Sequence, residues 1–130
     1  MINNTNHNFE EGEKMEIKII NNIAVVNSNE IIMKDVQSAI DFIMTIKYET
    51  NCNKTTLNKD AIIEDFFILS KGLAGEILQK FINYQTKFAI YGDYSKYTSK
   101  PLKDFIYESN NGKDIFFVEN EDEAVEMLSK

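Results

Sequence analysis

The feature that most constrains this chain is a repeated change of hydrophobic period. Short apolar runs, which suit strands, alternate with longer stretches whose apolar residues recur every three or four positions, which suit helices. Glu16-Ile17-Lys18-Ile19 alternates and leads through Ile20 into the turn signal Asn21-Asn22. Ile23-Ala24-Val25-Val26 follows as a compact apolar run, so the two segments predict a β-hairpin. From Asp35, a side chain able to cap a helix, Val36, Ala39, Ile40, Ile43, Ile46 and Tyr48 keep helical spacing until Asn51-Cys52-Asn53. Lys54 to Asn58 predicts a weak strand, polar for a central position. A second helix is predicted from near Ile63 to Asp65 through about Tyr84, with an acidic opening and a stripe of Phe66, Leu69, Leu73, Ile77 and Phe81. Lys87 to Tyr91 is the clearest buried strand, ended by Gly92-Asp93. Tyr94 to Lys100 reads as a loop, and Pro101 suits the first turn of a third helix that stops at Asn110-Asn111-Gly112. Ile115 to Val118 is the last strand, and Glu121 to Lys130 the last helix.

This alternation predicts an α/β domain: a mixed, mostly parallel sheet of about five strands with about four helices, in the order β-β-α-β-α-β-α-β-α. The chain has 130 residues, 43% of them hydrophobic, enough for one domain with its own core. Residues 1–14 are polar and Asn-rich, so they are expected to be a flexible tail ahead of a single domain over 15–130. Glu11-Gly12-Glu13-Lys14 can be encoded as a purine-rich ribosome-binding sequence, which makes Met15 the expected natural start. No internal repeat is present.

Charge and composition exclude several classes of function. The net charge is −7 and all 14 basic residues are lysines. An acidic domain without a guanidinium fork is poorly suited to phosphate backbones or guanine edges, so no nucleic-acid partner is expected. Lys96, Lys100 and Lys103 stand beside Asp93 and Asp104 and read as a solvated mixed-charge face. No apolar run reaches the ~20 residues that span a bilayer, and no signal peptide opens the chain, so no membrane partner is expected and the expected location is cytoplasmic.

Candidate chemistry is sparse. The one histidine, His7, lies in the tail, which removes histidine-based nucleophile and acid–base systems from the folded part. Cys52 is the one cysteine and reads as a small residue at a helix–strand turn. Asp60, Glu64 and Asp65 cluster before the second helix, and Asp60 and Asp93 fall at carboxyl ends of strands, where α/β sheets bind ligands. A solvated charged loop is the simpler reading, and no catalytic residue, metal site or cofactor is expected. Gly72 and Gly75 interrupt the second helix, which suggests close approach to the sheet or to a second protomer. Tyr91, Tyr94, Tyr97 and Tyr107 surround one loop and helix; they fit either a protein-contact surface or partial burial with the hydroxyls in water.

The element order, with Ile23-Ala24-Val25-Val26 leading to Asp35-Val36 and the Phe88 to Leu128 run of strand, loop, helix, aromatic strand and acidic helix, resembles the STAS domain of sulfate transporters and anti-sigma-factor antagonists. More closely, Lys47-Tyr48-Glu49-Thr50, the run from Gly72 to Phe81 and the run from Asp104 to Asn110 resemble an uncharacterised bacterial family, domain of unknown function 4180, over Met15 to Lys130. The STAS resemblance implies a phosphorylated serine at the start of the second helix and a surface that docks on a kinase-like partner. Glu64-Asp65-Phe66-Phe67 stands there without a hydroxyl, and Ser70-Lys71-Gly72-Leu73 lies more than a turn into the expected helix. Asp65 then serves either as a permanent negative charge or as a complement to the helix dipole.

These readings favour a non-enzymatic STAS-like interaction or regulatory module with a protein partner, a second copy of the chain included. The expected contact surface is Asp60, Glu64, Asp65, Tyr94 and Tyr97. The alternative is a domain that binds a small ligand or metal ion at the carboxyl edge of the sheet.

Overall fold

The computed structural model describes His7–Phe9 and residues 15–130. Ten elements of regular structure follow: β1 (His7–Phe9), β2 (Met15–Ile20), β3 (Ile23–Ser28), α1 (Val36–Thr50), β4 (Lys54–Asn58), α2 (Leu73–Asn83), β5 (Lys87–Tyr91), α3 (Lys100–Asn110), β6 (Ile115–Val118) and α4 (Glu121–Leu128). The five strands from β2 to β6 and the four helices are those expected from the periodicity. β1 falls inside the segment expected to be a tail; the rest of that segment lies outside the described residues.

The sheet order is β1-β2-β3-β4-β5-β6, with the β1–β2 and β2–β3 pairs antiparallel and the β3–β4, β4–β5 and β5–β6 pairs parallel. The hairpin turns at Asn21 and Asn22, both at positive φ (53° and 64°), the pairing that asparagine tolerates best after glycine. When parallel strands follow one another in both sequence and space, crossovers of one hand place every connecting helix on one face. Buried residues of α1 (Ala39, Phe42, Ile43, Ile46), α2 (Ala74, Ile77, Leu78, Phe81) and α3 (Leu102) accordingly share one core with Ile17, Val26, Leu57, Phe88 and Phe117. The other face is covered by α4, whose Ala124 and Leu128 pack on Ile23, Val25, Ala89 and Phe116.

One boundary differs from expectation. The second helix begins at Leu73, not near Ile63. Between β4 and α2 the chain makes three short 3₁₀ turns, Lys59–Ala61, Glu64–Phe67 and Leu69–Lys71. Gly72 ends them at φ +77° and caps α2. A Cβ at Gly72 or Gly75 would meet nothing within 4 Å, so neither glycine serves a close approach to the sheet. Gly72 is needed for its backbone angle, and nothing in the structure explains Gly75.

Candidate functional site

The carboxyl ends of β4 and β5 open under two irregular segments, the 3₁₀ turns after β4 and the loop between β5 and α3. The first segment is tied down by the chain between β3 and α1: Ile32 and Met33 donate their amides to Ala61 O at 2.9 and 3.1 Å, and Ile63 donates to Met33 O at 3.0 Å. The second is shaped by Asp93, whose carboxylate accepts from the Ser95 amide at 2.8 Å, and by Ser99, which caps α3 by accepting from Leu102 at 3.4 Å. The Ser95 amide holds the Asp93 carboxyl below the usual aspartate range.

Between the segments lies an open cleft of about 640 Å3 lined by Glu64, Phe67, Leu69, Ser70, Tyr97 and Pro101, with apolar surface in excess over polar. Its floor is aromatic. Phe67 and Tyr97 stack with centroids 5.2 Å apart, and Phe67 meets Phe66 edge-on at 4.9 Å. Tyr97 donates its hydroxyl to Glu64 Oε2 at 2.7 Å, and Lys96 Nζ reaches Glu64 Oε1 at 3.3 Å. The Tyr97 bond above all holds the Glu64 carboxyl below its ordinary range against the cost of desolvation, with the Lys96 bond and charge adding to it. Burial and then Glu64 push the Tyr97 phenol up, so it stays protonated as the donor.

Beneath the rim lies Lys59, a residue the sequence reading did not single out. It is only 7% exposed. Its Nζ sits 5.3 Å from the Phe67 centroid and 5.0 Å from that of Tyr97, an arrangement in which the ring faces attract the ammonium. Among the described residues, the one carboxylate within 4 Å is Asp60, at 3.9 Å. Lys59 crosses the end of β5 at Gly92, where a Cβ would stand 2.7 Å from Lys59 Cβ. A lysine directly after a strand, with a glycine ending the neighbouring strand, is the sequence signal that could have found it.

The residues expected to form one surface therefore divide. Glu64 and Tyr97 are bonded to each other on the cleft wall. Asp60 is exposed beside Lys59. Asp65 turns to Lys71 at 3.5 Å and does not line the cleft. Tyr94 faces inward: its hydroxyl donates to Ile90 O at 2.8 Å and its ring packs on Phe117 at 6.0 Å. Burial pushes its phenol up. Ser70, expected inside a helix, instead stands on the cleft wall two residues before the cap of α2. Among the described residues no three His, Cys, Asp or Glu side chains converge as a metal-binding group. Among the described residues no helix is long and apolar enough to cross a membrane.

No curated protein and no solved structure matches the chain. A family model does, over residues 20–128, from the last residue of β2 to the end of α4, so the match takes in both walls of the cleft and the lysine beneath it. Its description is Domain of unknown function (DUF4180), and the chain belongs to that family.

Proposed function

We propose that the protein is a non-catalytic, STAS-like interaction module that receives an apolar side chain of a protein partner in the cleft between residues 64–71 and 96–101. The observation that supports this reading is the character of the cleft. It is open, its walls are mainly apolar, and its ionisable groups are engaged with one another, Tyr97 with Glu64 and Glu64 with Lys96. Interface cores are built this way, from aromatic and aliphatic walls with charges satisfied at the rim. Catalysis favours the opposite, a titratable group left free to exchange a proton near neutral pH. Here Glu64 is held below, and Tyr97 above, its ordinary range.

A second reading is favoured by size. At about 640 Å3 the cleft falls in the ~300–1,000 Å3 range of small-molecule sites. One experiment separates the two. A photo-crosslinking amino acid is placed at Thr98 on the cleft rim, or at Tyr48, which is 88% exposed on α1. Irradiation in cells is expected to give one discrete protein adduct from position 98 and none from position 48. Ile68→Asp, on the cleft wall, is expected to reduce that adduct at least tenfold, while Tyr48→Asp leaves it unchanged. A low-mass adduct from position 98 supports the small-ligand reading. Equal labelling from both positions overturns the cleft as a site.

A further inference from the structure

The two edges of the sheet are treated differently. At the β6 edge, the Asn110 side chain accepts from the Phe117 amide at 2.7 Å and donates to Phe117 O at 3.0 Å, filling the place of a neighbouring strand. At the β2 edge, the described occupant is the three-residue β1.

The pairing pattern shows which groups that edge offers. Ser28 spends both its amide and its carbonyl on Asn58, at 2.9 and 2.7 Å, so Ser28 faces β4. Alternation along β3 turns Asn27, Val25 and Ile23 toward β2, and their partners Glu16, Lys18 and Ile20 turn back toward β3. The backbone groups of Met15, Ile17 and Ile19 therefore point outward. β1 takes those of Met15 and Ile17, opposite Phe9 and His7, and none of the described residues of β1 opposes Ile19.

We propose that this outer edge of β2 is a self-association site, at which β2 of a second copy replaces β1 and pairs antiparallel about a two-fold axis through Ile17. An isologous interface must be its own complement, and this register is. It sets Ile17 opposite Ile17, Met15 opposite Ile19, and Glu16 opposite Lys18 of the second copy, twice over. Opposite charges facing each other across strands are favourable, and like charges are not. All three outward residues find hydrogen-bonding partners in this arrangement, whereas the described residues of β1 face two of them. Lys18 already holds Glu121 of α4 at 2.7 Å, so the new pairs extend an existing ion pair. The blocked β6 edge stops growth at the dimer. β1 competes from the same chain across residues 10–14, and a tether that short gives an effective concentration of about millimolar. The two occupants exclude each other.

The test uses the full chain. His7→Pro with Phe9→Pro removes the two amides that β1 gives to β2. Sedimentation equilibrium is expected to show the wild type at 15.0 kDa and the double variant moving toward twice that mass as concentration rises. Adding Glu16→Lys, or separately Lys18→Glu, makes both facing pairs alike in charge and is expected to weaken association about tenfold. Mixing those two proteins restores opposite pairs and is expected to recover a heterodimer, seen by native mass spectrometry. The pairing also requires both partners to be folded, which far-ultraviolet circular dichroism checks. A double-proline variant that stays folded at 15.0 kDa up to about 1 mM overturns the proposal. So does an equimolar mixture that forms no heterodimer.

Discussion

Two adjacent threonines show what a side chain's direction decides. Thr55 and Thr56 are both fully buried in β4, the strand whose sequence reads as too polar for a sheet centre. Thr55 faces the helical layer and donates to Ala24 O at 2.8 Å, so its hydroxyl is satisfied. Thr56 points to the opposite face, and its Oγ1 has no partner among the described residues. A buried hydroxyl without a partner keeps its desolvation cost and gains nothing in return. Thr56→Val keeps the shape and removes that cost, so it is expected to stabilise the fold by about 1 kcal/mol in urea unfolding, whereas Thr55→Val is expected to be neutral or destabilising. Composition showed the polarity of this strand; which hydroxyl finds a carbonyl depends on the neighbouring strand, which local sequence does not carry. Lys59 was missed for a related reason. A lysine in a loop reads as solvated until the stacked Phe67 and Tyr97, one from each segment, are seen to enclose it.

At the scale of elements, periodicity located every strand from β2 to β6 and three of the four helices closely. The miss at α2 has a physical cause. Phe66, Leu69 and Leu73 are spaced by three and four, and three-residue spacing also suits successive 3₁₀ turns. The acidic Glu64-Asp65 pair then looks like a helix N-terminus, while the left-handed Gly72 marks the true start. That error also blurred the site, because the 59–71 segment forms one wall of the cleft only by not being helical. Asparagine side chains close the sheet pairing in two places. Asn58 prolongs the β3–β4 pairing through Ser28, and Asn110 seals β6 through Phe117. Asn110→Ala removes two hydrogen bonds to a partly buried edge. It is expected to cost about 1–3 kcal/mol and to raise aggregation on heating, measured by light scattering alongside the melt.

The whole molecule carries a net charge of −7, so self-repulsion acts against compactness at neutral pH. Against it stand carboxylates that the fold holds below their ordinary values: Asp35 through the Ser38 amide, Glu64 through the Tyr97 hydroxyl and Asp93 through the Ser95 amide. A depressed carboxyl stabilises the folded state above its ordinary value, and that contribution is lost as pH falls through the folded value. Acidification from pH 7 first relieves repulsion, then protonates these groups. Melting temperature is expected to hold or rise slightly down to the isoelectric region near 4.7 and to fall below it. Tyr97→Phe is expected to flatten the acid limb, because Glu64 then titrates closer to its ordinary value. The plain strand order has one further consequence, for how such a chain acquires its shape. Each strand from β3 onward pairs with the one made just before it, so each parallel contact closes over a single helical crossover, a non-local pairing that forms more slowly than a hairpin. During synthesis the sheet can grow by one crossover at a time. α4 alone reaches back across strands made long before, to Ile23 and Val25, and it has no platform until β6 is in place. Its docking converts a growing half-sandwich into a finished one, so a chain cut before Glu121 is expected to leave the face of Ile23, Val25, Ala89 and Phe116 uncovered.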